Sequence, residues 1–189
     1  MAAMFPVVGF GVSSFQKSVS GKINHGLAGF RVDSLSAVGP GLLGDDASWL
    51  LSYTNGRISP GERFARRAAL KPVEMKRILP DVLILEPQFS ERASILDVRV
   101  RLMGTAVSWF YGEAGGHSVR DFDDDMATQR ALEMAALCYK AGEPVVGTSF
   151  RINHSISYFP VTVLMIPLAE DGLHISHFFA HVSIGAQQK

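Results

Sequence analysis

The sequence predicts an α+β fold: a five-stranded antiparallel sheet with helices packed on one face, preceded by short helices and an N-terminal extension. Three stretches predict it. Val145 to Ile184 is rich in β-branched and aromatic residues and is interrupted by turn residues at Asn153-His154 and Glu170-Asp171-Gly172, a pattern of three strands in a meander. Ile95 to Met103 alternates, with Leu96, Val98, Val100 and Leu102 on one face and Asp97, Arg99 and Arg101 on the other. Between these lies Met126 to Ala141, where Leu132, Ala135 and Tyr139 share one helical face beside Ala131, Met134 and Cys138.

The elements follow in order. Residues 1–44 hold eight of the 18 glycines and only four charged residues, Lys17, Lys22, Arg31 and Asp33, with no sustained period. This reads as a poorly ordered extension with room for a short β-ribbon. The domain is expected to span residues 45–189. Asp46 caps a short helix whose apolar face is Trp49, Leu50 and Tyr53, and Asn55-Gly56 ends it. Pro72 sits in the first turn of a second short helix, Val73 to Leu79, which Pro80 closes. Val82 to Leu85 is a short buried strand closed by Pro87, and a polar link from Phe89 to Arg92 joins it to the alternating strand as a hairpin. Thr105 caps a helical turn through Val107 to Tyr111, ended by Gly112, and Gly115-Gly116 forms a corner. Asp123, Asp124 and Asp125 cap the main helix and favour its positive dipole end; Lys140, Gly142 and Pro144 close it.

Composition excludes several classes. An apolar fraction of 47% with 12 Phe fills a real core and excludes a disordered chain. Eighteen basic and 18 acidic residues cancel, which removes the global argument for nucleic acid or an anionic membrane as partner. The basic segment Arg57 to Arg77 lacks interleaved aromatics and reads as a solvated face. The lone Cys138 excludes an intrachain disulfide and a multi-cysteine zinc site. No apolar run is long enough to span a bilayer, and Met1 to Val12 lacks a basic leader, so the expected location is cytoplasmic.

The order ββ–helices–βββ resembles the PAS fold. Trp49, Gly56-Arg57, Arg63, Pro72-Val73-Glu74-Met75 and Leu79-Pro80-Asp81, then Arg101-Leu102-Met103-Gly104-Thr105, Gly112, Gly115-Gly116 and Phe122, resemble a PAS-like family common in alphaproteobacteria. The resemblance covers about Asp46 to Ile184, and Arg101 to Thr105 is its most specific piece. Two departures stand out: Lys71-Pro72 replaces an Asp-Pro, and Gly112-Glu113 replaces a Gly-x-Asp. The resemblance implies a stand-alone sensory or adaptor module that binds a small molecule between sheet and helices, or dimerises, and passes a bias to a protein partner. It implies no particular cofactor. Oxygen-sensing PAS domains use a histidine on the long middle helix, and Met126 to Ala141 contains none. Light-sensing relatives need an Asn-Cys-Arg-type motif, and Cys138 lies in Ala136-Leu137-Cys138-Tyr139, which favours a buried structural thiol.

The aromatics are the expected pocket residues: Trp109, Phe110 and Tyr111 of the middle turn, Tyr139 of the main helix, and Phe150, Tyr158, Phe159, Phe178 and Phe179 of the last strands. The expected ligand-binding set is Trp109, Phe110, Tyr139, Phe150, Tyr158, His177 and Phe179. A well-filled core accounts for the same residues, and strand parity puts Phe178 and Phe179 on opposite faces. His177 and His181 share a strand face about 13–14 Å apart, with His174 opposite, so one metal cannot collect all three. The alternative function is a small α+β enzyme with His117 and Asp121, or another His–carboxylate pair, as acid and base.

Overall fold

The computed structural model describes residues 23–24, 30–122, 125–153 and 157–185, without the side chains of 23, 24, 150–153 and 157–159. Its centre is one antiparallel sheet. The strands are β1 (Ile23–Asn24), β2 (Arg31–Ser34), β3 (Val82–Phe89), β4 (Ile95–Met103), β5 (Val145–Asn153), β6 (Ser157–Ala169) and β7 (Ile175–Ile184). The helices are α1 (Leu35–Val38), α2 (Asp45–Asn55), α3 (Thr105–Tyr111) and α4 (Asp125–Ala141), with 3-10 turns at Pro40–Leu42, Arg67–Ala69, Pro72–Glu74, Leu79–Asp81 and Val119–Asp121. The strand order is β1-β2-β5-β6-β7-β3-β4. No helix among the described residues is long and apolar enough to cross a membrane.

The meander of β5, β6 and β7 forms as expected, and the β3–β4 hairpin docks on its far side. Val82 to Leu85 of β3 pairs with Phe178 to His181 of β7. The first and last strands of the ββ–helices–βββ series are thus neighbours in mid-sheet.

The sheet is wider than five strands, and the boundary expected at residue 45 does not hold. Arg31 to Ser34 pairs with Val145 to Thr148, and Phe30 and Val32 are buried in the main core. Low charge and scattered glycines concealed this strand because four residues are too few to display a period. The expected ribbon is present as β1 pairing with β2.

Helical structure covers both faces of the sheet rather than one. On the first face, α3, the Val119–Asp121 turn and α4 pack over Leu83, Leu85, Val98, Val100, Phe178 and Ala180. On the second, Ala47 and Leu50 of α2 join Leu70, Met75 and Ile78 over Val82, Leu164 and Phe179. Period-two strands with apolar residues at both parities demand cover on both sides. Leu50 is buried in α2, whereas Trp49 is partly exposed and stacks on Tyr53 at 5.0 Å. The expected helix from Val73 to Leu79 is replaced by two 3-10 turns, each with a proline at its start.

Strand β3 does not stop at Pro87. It continues to Phe89, and Pro87 pairs with Val98. Beyond Leu85 the strand has β4 alone as its paired neighbour, an edge setting that accepts proline. Two bulges break the alternation expected in β4. Ile84 faces Leu102 and Leu85 faces Val100, so Arg101 is the extra residue and Leu102 turns to the opposite face from Val100. At the other end Leu96 is extra, and it is 63% exposed. The outer edge of β4 is partly sealed, since Val100 donates to the His117 carbonyl and accepts from Gly116, both at 2.8 Å.

Helix α4 ends as expected: Gly142, at φ 64°, donates to the Cys138 carbonyl. The expected caps Asp123 and Asp124 lie outside the described residues, as does the turn at His154.

Candidate functional site

A cavity of about 60 Å³ lies between the first sheet face and α4. Its floor is apolar: Leu85 of β3, Val163 of β6 and Ala180 and Val182 of β7 point into it because they occupy one strand parity. Gly147 of β5 also lines it, and the missing side chain makes room for Met134, whose Sδ would lie 2.6 Å from a Cβ there. Tyr111 and Phe122 close one side with ring centroids 6.0 Å apart. Phe30, just before β2, closes another.

The roof is α4. Its buried stripe is Ala127, Arg130, Met134 and Cys138, spaced three and four residues apart, with Ala135 beside Met134. Arg130 therefore occupies a core position. It is 92% buried by its 8% exposure and lines the cavity. Its guanidinium carbon stands 5.4 Å from the centroid of the Phe30 ring, a cation–π contact. Its Nε is buried and has no hydrogen-bond partner among the described residues. Ser149 of β5 brings a buried hydroxyl to the same cavity. An apolar chamber lined by one buried cation, with the hydroxyl-bearing residues Ser149 and Tyr111, can hold and orient a small polar molecule.

The sequence-predicted pocket residues scatter. Trp109 is 87% exposed on the outer side of α3 and contributes nothing to the cavity. A seven-residue helix rotates its neighbours by about 100° each. Tyr111 and Val107 consequently turn inward while Trp109 turns out. Phe110 is partly buried and packs edge-on against Tyr111 at 4.9 Å, beside the cavity rather than in it. Tyr139 meets Phe89 at 4.9 Å, past the end of the chamber. Phe179 and His177 have the parity of the second face: Phe179 is buried under α2 and the 3-10 turns. Phe150 and Tyr158 belong to β5 and β6, but their side chains lie outside the described residues. Tyr111 is the aromatic of the middle turn that the cavity uses.

Arg130 was missed. Its signal was present, because Ala127, Arg130, Met134 and Cys138 share one face of the helix. An arginine at i+3 from one stripe residue and i−4 from the next is a charge inside an apolar face.

The histidines sit elsewhere. His177 is buried, approached by Arg67 at 3.4 Å and Ser176 at 3.0 Å, and burial followed by the Arg67 charge pushes its pKa down. His181 is also buried, its Nε2 has no partner among the described residues, and burial lowers its pKa. His174 is exposed and holds Asp171 at 2.7 Å; this hydrogen bond is the main cause that keeps the Asp171 carboxyl well below its usual range. Among the described residues no group of three or more His, Cys, Asp or Glu is placed to hold a metal. His117 and Asp121 are both exposed and 3.9 Å apart, and Asp121 accepts from the Ser118 backbone in a capping box. Neither lines the cavity. The Cys138 thiol is buried and donates to the Glu143 carbonyl at 3.4 Å; burial, then the Glu143 charge, pushes it up, away from the reactive thiolate. The basic segment is largely paired within the fold: Arg57 with Glu74, Arg66 with Glu62, and Arg77 with Asp46.

Comparison of the chain with protein-family models, with curated proteins and with solved structures finds no match.

Proposed function

We propose that this chain is a PAS-like sensory or adaptor module of bacterial signalling, which takes a small molecule between sheet and α4 and acts as a homodimer on a protein partner. The observation that carries the reading is the cavity itself. It lies between the sheet and the long helix that follows the ββ pair, the place where the PAS resemblance implies a ligand. The resemblance draws further support from the motif Arg101 to Thr105. Gly104 there packs directly on the Pro80 backbone, so the motif's glycine has a structural task. At about 60 Å³ the chamber is far below the roughly 300–1,000 Å³ of pockets for drug-sized ligands, which favours a compact signal over a haem or flavin. The acid–base alternative finds less support, since His117 and Asp121 share no desolvated setting.

Native mass spectrometry of the purified full chain tests the proposal, paired with ligand-observed NMR on a panel of small polar molecules. Expected are twice the chain mass and saturable binding that moves signals of α4 and β5. A monomer that binds no member of the panel would overturn the reading.

A further inference from the structure

We infer that the cavity is a binding site for a short-chain monocarboxylate, with the guanidinium of Arg130 as the anchor for the carboxylate. The inference rests on the sensory reading of the same cavity and names its ligand class.

Arg130 is a cation set in an otherwise apolar helix face. A buried guanidinium without a counter-charge is costly, and proteins pair or neutralise such groups. Arg130 is 92% buried by its 8% exposure, and no carboxylate among the described residues lies within 4 Å of it. Glu133, one turn along α4, forms no ion pair with it. Asp33 is the other buried acid nearby in sequence order of the sheet edge, but it has the opposite parity to Val32 on β2 and so faces away from α4; its ion pair is with Arg31 at 3.7 Å. Phe30 offsets part of the cost through its ring face, at 5.4 Å. The ring face is at best a weak acceptor, and the buried Nε–H has no conventional hydrogen-bond partner among the described residues.

The cavity supplies the rest of the specification. Guanidinium presents donors in a planar fork that matches a carboxylate, and the hydroxyl of Ser149 lines the same chamber as a further donor. The remaining walls are Leu, Val, Ala, Met and aromatic side chains together with Gly147, which suit an alkyl tail. They do not suit sulfate or phosphate, whose other oxygens would lose their hydrogen bonds to water. A volume of about 60 Å³ is on the order of four or five water-sized positions, the size of acetate or propionate.

The test uses the full chain, with propionate and its neutral isostere propionamide as probes at fixed ionic strength, read by calorimetry and by amide NMR. Propionate is expected to bind saturably and to shift signals of α4 and β5. Propionamide is expected to bind roughly ten- to a hundredfold more weakly, the difference a charge-assisted hydrogen-bond pair makes. Arg130→Met should weaken propionate by a similar factor, and Arg130→Lys should recover only part of it. The wild-type comparison needs no variant, so a misfolded Arg130→Met leaves the test intact. Equal affinity for the two probes, or full propionate affinity in a folded Arg130→Met, overturns the carboxylate assignment. Xenon under pressure separates this from the broader reading. If xenon enters the cavity while propionate does not, the anion site is wrong and the ligand chamber stands; if neither enters, both fall.

Discussion

The two buried histidines of β7 show how a single residue's surroundings set a measurable property. His181 is packed under α2 and the Leu79–Asp81 turn, where burial lowers its pKa against the opposing charges of Asp81 and Asp46. His177 is lowered by burial and by Arg67, with Glu86 and Glu170 opposing and Arg101 adding to the fall. A lowered imidazole binds fewer protons folded than unfolded in the interval between its two pKa values. The unfolded chain therefore gains protons first, and stability falls as the pH drops below about 6.5, reaching its full loss below the folded pKa values. Urea midpoints are expected to be flat between about pH 8 and 7 and to decline between about pH 6.5 and 5. His181→Gln should make that decline shallower. An unchanged slope in this variant would assign the pH dependence to other groups. The contrast with Trp109 is instructive at the same scale. The larger and more apolar side chain is 87% exposed, while the two titratable ones are buried, so residue type alone misplaces all three.

At the scale of elements, the junction between β4 and α3 holds the most closely packed of the described glycines. A Cβ on Gly104 would lie 2.3 Å from the carbonyl oxygens of both Leu79 and Pro80. Those atoms are backbone in a proline-started turn and cannot yield as a side-chain tip would. The amide of Gly104 also donates to the Val82 carbonyl at 2.8 Å, which ties the end of the hairpin to the start of β3. Gly104→Ala is expected to destabilise the protein by about 2–3 kcal/mol, as overpacking does, measured by chemical denaturation. The same substitution at the exposed Gly41, where a Cβ would meet nothing within 4 Å, should cost far less. Equal effects would show that the Gly104 contact relaxes. The bulge at Arg101 belongs to the same junction: it turns Leu102 away from the face of Val100 as the chain enters the Gly104 turn.

At the scale of the molecule, Ile23–Asn24 and Arg31–Ser34, which precede the expected domain, belong to the sheet. Strand β2 covers the edge of β5, and Phe30 closes one side of the cavity beside Arg130. Deleting residues 1–44 removes two buried apolar side chains, Phe30 and Val32, each worth about 1.5–3 kcal/mol, and exposes the β5 edge. The truncated chain is expected to melt well below the full one and to self-associate through that edge, as read by thermal unfolding and light scattering. Unchanged melting and assembly would return residues 30–44 to the status of a dispensable extension.

Much of the architecture was legible in the chain. The β5–β7 meander announces itself by β-branched content and turn residues, the β4 strand by alternation, and α4 by its helical stripe, because each signal is local and repeats within its own element. Gly112 and Gly142 mark helix ends for the same reason. The course of β3 past Pro87 and the docking of β2 were not legible, since both depend on which neighbour a strand has rather than on its own residues. Nor were the bulges, which rest on register between strands. The candidate site was the least legible. Its lining comes from elements distant in sequence, and the outward turn of Trp109 follows from how α3 sits on the hairpin. The apolar stripe of α4 already contained Arg130, so the sequence by itself determined that a charge would lie on the helix's buried face. Only the tertiary structure decided that this charge would meet a cavity and an aromatic ring, with no carboxylate among the described residues beside it, because partners for a buried charge are chosen by packing between distant segments.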